Sequence, residues 1–205
     1  MRVGSDFIQL QCDQDFFIER CDQHGHCEPG PPLSTDRGGC PNLAVTDGHL
    51  VAWNRETIEM LTPRATEWTQ IERPQGSMDA DYDFTTVDEF IVFSRRGLVF
   101  DVNRARWSEI TGSWGDGFAI GHYVVAETSL GTLSVLDPAE ATWQRIGELP
   151  EERSGYVLHP HPRGVMMVGG QLRSNTTGCG STGICWCARR STPVIEFPAK
   201  FLPQR

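Results

Sequence analysis

The chain has 205 residues, with 27 Asp and Glu against 18 Lys and Arg for a net charge of −9. That balance excludes a phosphate-tracking nucleic-acid binder, which needs clustered basic residues to displace condensed counterions. No apolar run approaches the roughly 20 residues of a membrane-spanning helix, and 39% hydrophobic content with 21 Gly and 13 Pro fits a globular chain of short strands and turns.

The first 40 residues read as an incomplete unit. Its middle strands are Phe7–Cys12 and Phe16–Cys21, and the run preceding them, Met1 to Asp6, lacks the apolar core and cleavage site of a secretory signal. The inner strand of this unit is missing from the pattern. The tail Ala199-Lys-Phe-Leu202 would supply it if the array closed into a ring; the alternative is an open array, or a piece of a longer protein.

The seven cysteines cluster at the two ends: Cys12, Cys21, Cys27 and Cys40 near the start, Cys179, Cys185 and Cys187 near the end. Such clusters fit disulfides bracing terminal units that have only one neighbour, which places the chain in an extracellular or periplasmic compartment. The odd count leaves one thiol over. In Cys21-Asp-Gln-His24-Gly-His26-Cys27 the thiols and imidazoles invite zinc. A disulfide across a tight Cys21–Cys27 hairpin is the more economical reading, and its small loop would contribute at most about 2–3 kcal/mol. Cys12 with Cys40 is the natural second pair, and Cys185 and Cys187 share a strand face that favours one of them pairing with Cys179. Sequence does not fix this connectivity. No metal site and no cofactor is predicted.

Three repeats follow. Leu61-Thr-Pro-Arg-Ala-Thr-Glu-Trp68-Thr-Gln-Ile71 returns as Phe100-Asp-Val-Asn-Arg-Ala-Arg-Trp107-Ser-Glu-Ile110 and as Leu136-Asp-Pro-Ala-Glu-Ala-Thr-Trp143-Gln-Arg-Ile146. Each has Trp seven residues after an apolar strand end and Ile three after the Trp. Upstream lie second strands at Leu50–Trp53, Phe90–Phe93 and Tyr123–Ala126, and inner strands at Leu43–Val45, Phe84–Val87 and Phe118–Ile120. The runs are short and rich in Val, Ile and aromatics, so they are strands. A four-strand unit spaced by 39 and then 36 residues between tryptophans, over 41–72, 82–111 and 117–147, points to a propeller or solenoid array. The three tryptophans are read as packing between units, and Cys27 stands near the Trp position of the first unit.

A fourth full unit spans 154–198. Its strands are Gly155–Leu158, Gly164–Gly170, Ile184–Cys187 and an outer Val194–Phe197, with a long loop at 171–183. His159-Pro-His161-Pro is expected as a stiff turn, with a metal or acid–base role as the alternative. Asn175-Thr-Thr177 matches a glycosylation sequon. No nucleophile elbow, zinc-protease helix or phosphate-cradling loop is present.

At these residues the chain resembles the kelch-type β-propeller, galactose-oxidase central-domain-like. The resemblance rests on the turn-and-Trp elements Phe100-Asp101 to Trp107 and Leu136-Asp137-Pro138 to Trp143, on Gly169-Gly170 closing a second strand, and on Pro150-Glu-Glu-Arg153-Ser-Gly155 entering an inner strand. Only one unit keeps the double glycine, and the spacing is shorter than the about 50 residues usual for kelch. Gly48-His49 and Gly121-His122 echo WD repeats, but no Trp-Asp follows. The resemblance implies a single all-β propeller domain over 1–205, of four to five blades, possibly incomplete or open. It also implies a peptide or glycan ligand bound where second-to-third-strand and inter-blade loops emerge. The candidate binding residues there are Arg55, Arg95, Arg96, Trp114, Asp116 and Arg153. A non-catalytic binding module is the expectation. The alternative is a carbohydrate-active enzyme, an oxidase or sugar epimerase, although Tyr82, Tyr123 and Tyr156 do not assemble the copper constellation of the kelch-type oxidases.

Overall fold

The computed structural model describes residues 2–3, 6–12, 16–22, 24–33, 41–54, 57–74, 84–111, 117–129, 131–149, 153–174, 185–188 and 194–197. Among them the protein is all-β, and its strands form five antiparallel sheets in a repeated meander compatible with propeller-like blades. No helix among the described residues is long and apolar enough to cross a membrane. The chain divides into two compact units, one of Met1–Phe93 with Leu98–Ser108, the other of Ser94–Gly97 with Glu109–Arg205.

In the first unit, β1 (Arg2–Val3), β2 (Asp6–Cys12), β3 (Phe16–Cys21) and β4 (Cys27–Pro29) make the first sheet. Its inner strand is Arg2–Val3, paired with Phe7 and Asp6, so the place expected for the tail residues 199–202 is taken by a local hairpin. Those tail residues lie outside the described set. The second sheet is β5 (Asn42–Thr46), β6 (His49–Trp53), β7 (Ile58–Leu61) and β8 (Thr69–Gln70). The third is β9 (Thr85–Val87), β10 (Phe90–Phe93), β11 (Leu98–Asp101) and β12 (Arg106–Glu109).

Because strand side chains alternate faces, each second and third strand carries apolar residues on both sides. Val51, Trp53, Ile58 and Met60 leave one face of the second sheet and meet Ile91, Phe93, Phe100 and Val102 of the third. Leu50 and Leu61 leave the other face and pack with Leu43, Val45 and Trp68. Trp53 is fully buried, edge-on to Phe84 at 4.9 Å and to Phe93 at 5.3 Å between centroids. Strands buried on both faces explain why these runs read as nearly continuous apolar stretches rather than alternating ones.

In the second unit, β13 (Phe118–Ile120), β14 (Tyr123–Ser129), β15 (Thr132–Asp137) and β16 (Thr142–Glu148) form the fourth sheet. Val125, Leu133 and Val135 pack on Val165, Met167 and Phe197 of the last sheet. In the second and third sheets, Ile71 and Ile110 lie three residues past their tryptophans and close the outer edge, their N–H groups donating to Ile58 O at 2.9 Å and Gly97 O at 2.6 Å. In the fourth sheet a bulge between Leu133 and Ser134 shifts the register, and Leu149 rather than Ile146 donates the equivalent bond, to Gly131 O at 2.6 Å.

The last sheet differs from its expected form. β17 (Arg153–His161) and β18 (Gly164–Ser174) are long, and β19 (Cys185–Ala188) and β20 (Val194–Glu196) both pair with β18. Val194–Glu196 is therefore not an outer fourth strand. It occupies the third-strand place end to end with β19: Gln171 pairs with Ala188 and Met166 with Val194, so the register slips by one residue between them. The backbone bonds agree. Phe197 N donates to Arg163 O at 2.8 Å, just as Val102 N, after the third strand of its sheet, donates to Glu89 O at 3.0 Å. Residues 171–174, expected in the loop, are instead strand. His159, Pro160 and His161, expected as a turn, are the last residues of β17.

Candidate functional site

A meander leaves two kinds of connection. The first-to-second and third-to-fourth turns emerge at one end of each sheet; the second-to-third connections and the segments leading to the next sheet emerge at the other. The turn end is repetitive. Asp47 and Asp88 take φ of 43° and 48°, and Ala105 and Ala141 both take 49°. Asp101 Oδ1 accepts from Arg104 N at 2.9 Å, and Asp137 Oδ1 accepts from Ala139 N at 3.0 Å. Neighbouring turns are stitched together as well: Asn103 Nδ2 donates to Asp47 Oδ2 at 2.8 Å, and the Thr46 hydroxyl donates to Asp88 O.

Among the described residues, the connection end differs between the second, third and fourth sheets. In the second sheet Asn54 Oδ1 accepts from Thr57 N at 2.8 Å. In the third sheet the connection is a 3-10 turn, Ser94–Arg96, with Ser94 buried. Arg95 and Arg96 are exposed on it, so the two candidate residues stand side by side on one short rigid turn. In the fourth sheet the connection is braced by a carboxylate. Glu127 Oε1 accepts from Gly131 N at 2.6 Å, Glu127 Oε2 accepts the Tyr156 hydroxyl, and Thr128 and Ser134 share a hydroxyl bond of 2.8 Å.

Of the other candidates, Arg153 opens β17 opposite Leu172, a strand position rather than a loop. Arg55, Trp114 and Asp116 lie outside the described residues, as do Cys40, Cys179, Tyr82 and the Asn175 sequon. Tyr123 and Tyr156 are half-buried against the core of the second unit.

Cys21 and Cys27 face one another directly in the β3–β4 register. The hairpin between them is organised by Asp22, whose Oδ1 accepts from His24 N at 2.8 Å and His26 N at 3.0 Å, while Oδ2 lies 3.2 Å from His26 Nδ1. These contacts, the His26 N–H first among them, hold the Asp22 carboxyl below its usual range against the opposing effect of desolvation. Among the described residues no group of three or more His, Cys, Asp or Glu is placed to hold a metal ion.

Trp68 and Trp107 sit at the joints between successive sheets of the first unit. Trp68 Nε1 donates to Pro31 O and Trp107 Nε1 to Glu72 O, each at 3.0 Å. Trp107 also stacks obliquely on Phe100, centroids 4.7 Å apart. Sequence reading missed two polar features: the Glu127–Tyr156 brace, whose partners are 29 residues apart, and the fully buried Glu59 inside Ile58-Glu-Met-Leu61. The one available signal for Glu59 was a lone carboxylate in an otherwise apolar strand.

The chain matches no protein-family model and no curated protein.

Proposed function

We propose that the chain is a kelch-type β-propeller array acting as a non-catalytic binding module, holding a peptide or glycan on the connection end of its sheets. The observation that carries this reading is the contrast between the two ends. The turn end shares devices between neighbouring sheets, left-handed turn residues and Asp carboxylates that accept from the turn backbone, whereas the connection ends of the second, third and fourth sheets differ in chemistry, from an Asn54 cap to an Arg95–Arg96 turn to the Glu127 brace. Repetition belongs to the scaffold; variation on a rigid scaffold is where recognition is placed. The kelch assignment itself is supported by the repeated meander and by the indole-to-carbonyl bonds between successive units.

Binding to peptide and glycan arrays tests the proposal. A bound class that weakens about ten-fold or more when Arg95 and Arg96 are both replaced by Ala, with no chemical change in the ligand, is the expected result. Release of an oxidised or epimerised sugar would replace this reading with the carbohydrate-enzyme alternative.

An oxidising compartment belongs to the same proposal, supported by the opposition of Cys21 and Cys27. Cross-strand cysteines in register are within reach of disulfide geometry. Non-reducing peptide mapping of the secreted chain should recover these two cysteines in one linked peptide pair.

A further inference from the structure

The turn between β17 and β18 meets the end of β20 through Arg163. Its carbonyl accepts from Phe197 N at 2.8 Å, and its Nη1 lies 2.7 Å from Glu196 Oε1. The next residue, Gly164, lies so close to β20 that a Cβ there would stand 2.0 Å from Ile195 O. The backbone N–H of Arg163 is in turn donated to His161 Nδ1 at 3.2 Å. That bond requires a lone pair on Nδ1, so it exists only while the imidazole is neutral with its proton on Nε2.

We infer that His161 is a protonation-sensitive latch, its neutral ring fixing the Arg163 turn that grips the end of β20 at Glu196 and Phe197. On acidification the ring gains a proton at Nδ1 and the acceptor for the Arg163 amide is lost. Arg163 then loses its backbone anchor at the position in which it meets Glu196 and Phe197. The charged or titratable groups around the latch among the described residues are His159 two positions earlier on the same strand face, Arg163 in the turn, and Glu196 on β20; the β18 residue opposite His161 is Gly164. His159 would add a second positive charge on the same face. Glu196 would oppose release while ionised. The end of β20 at Phe197 is then loosened, while the pairing of Gly164–Met166 with Val194–Glu196 persists.

Site-resolved hydrogen exchange on the intact chain tests this at about pH 5 and about pH 8, which bracket the range in which histidine generally titrates. Rates are corrected for intrinsic exchange and referenced to Val124 and Val135 in the fourth sheet. The Phe197 amide should exchange about five-fold faster, relative to that reference, at the lower pH, the ratio set by losing one ordinary hydrogen bond. His161→Gln, which keeps an acceptor but cannot titrate, should abolish the difference, and His159→Gln should leave most of it. Equal relative rates at both pH values overturn the inference, and so does a difference that survives in His161→Gln, which would assign the effect to Glu196. Should that variant fail to fold, imidazole nitrogen shifts of the unmodified chain decide. A proton on Nδ1 of His161 at about pH 8 would sink the latch.

Discussion

The indole N–H of Trp107 donates to the carbonyl of Glu72, four residues past Trp68, and Trp68 donates to Pro31, four residues past Cys27. The same offset at two joints makes Cys27 the counterpart of a tryptophan in the first unit. The position with the same offset past Trp107 is Thr111. There Thr111 forms a parallel bridge with Thr142, and Trp143 Nε1 is buried with no hydrogen-bond partner among the described residues.

Replacing Trp107 and Trp143 by Phe should therefore have unequal costs. Both lose ring volume, but Trp107→Phe also forfeits a hydrogen bond, whereas Trp143→Phe removes an orphaned donor. Denaturant unfolding should find Trp107→Phe more destabilising by about 1 kcal/mol or more. Equal costs, or the reverse order, would mean that the indole bond does not couple the units.

Ala105 and Ala141 adopt the left-handed region at φ 49° in equivalent turns. An L-residue is disfavoured there by roughly 1 kcal/mol relative to Gly. Ala105→Gly and Ala141→Gly should accordingly be neutral or raise stability by up to about 1 kcal/mol, opposite to the effect of Gly within a strand. Thermal unfolding of each single variant checks the sign.

Gly164 is the converse case. At φ 151°, with a Cβ position 2.0 Å from Ile195 O and 2.9 Å from Phe197 N, Ala cannot be accommodated without moving β20. Gly164→Ala should cost about 2 kcal/mol or more, in the range of strain-driven core substitutions. Val165 and Phe197 amides should lose exchange protection first, because the displaced strand is the one that covers them.

Asp22 sets the pH behaviour of the β3–β4 hairpin. Its folded value is depressed, so its contribution is present above the ordinary Asp range near about 3.9 and is lost as pH falls through the lowered value. An NMR titration should find the His24 and His26 amide shifts moving together at a midpoint below that range. In Asp22→Asn the acid transition should vanish, while the β3–β4 ladder persists at neutral pH. Independent midpoints for the two amides would contradict a shared acceptor.

Much of the scaffold was legible in the chain. Strand edges at Leu50–Trp53, Phe90–Phe93 and Leu136 were marked by apolar runs between turn residues, and the Trp spacing gave the unit length, because both are local consequences of burying two faces of a short strand. The candidate residues were legible only as far as loop position could carry them. Arg95 and Arg96 fall on an exposed connection, but Arg153 proved to be a strand residue because β17 extends along β18 as far as Leu172, a pairing set by the partner's length and not by local composition.

By itself, then, the sequence determined that this is an all-β chain of tryptophan-marked repeats, since periodic burial is written in residue spacing. Tertiary structure alone decided that Val194–Glu196 is a third strand, that Glu127 reaches Tyr156, and that His161 Nδ1 accepts the Arg163 amide. Each of those depends on which backbone edge or donor a segment meets after folding. Such meetings join residues far apart in the chain, or pair a ring nitrogen with a neighbouring amide, and leave no trace in composition or period.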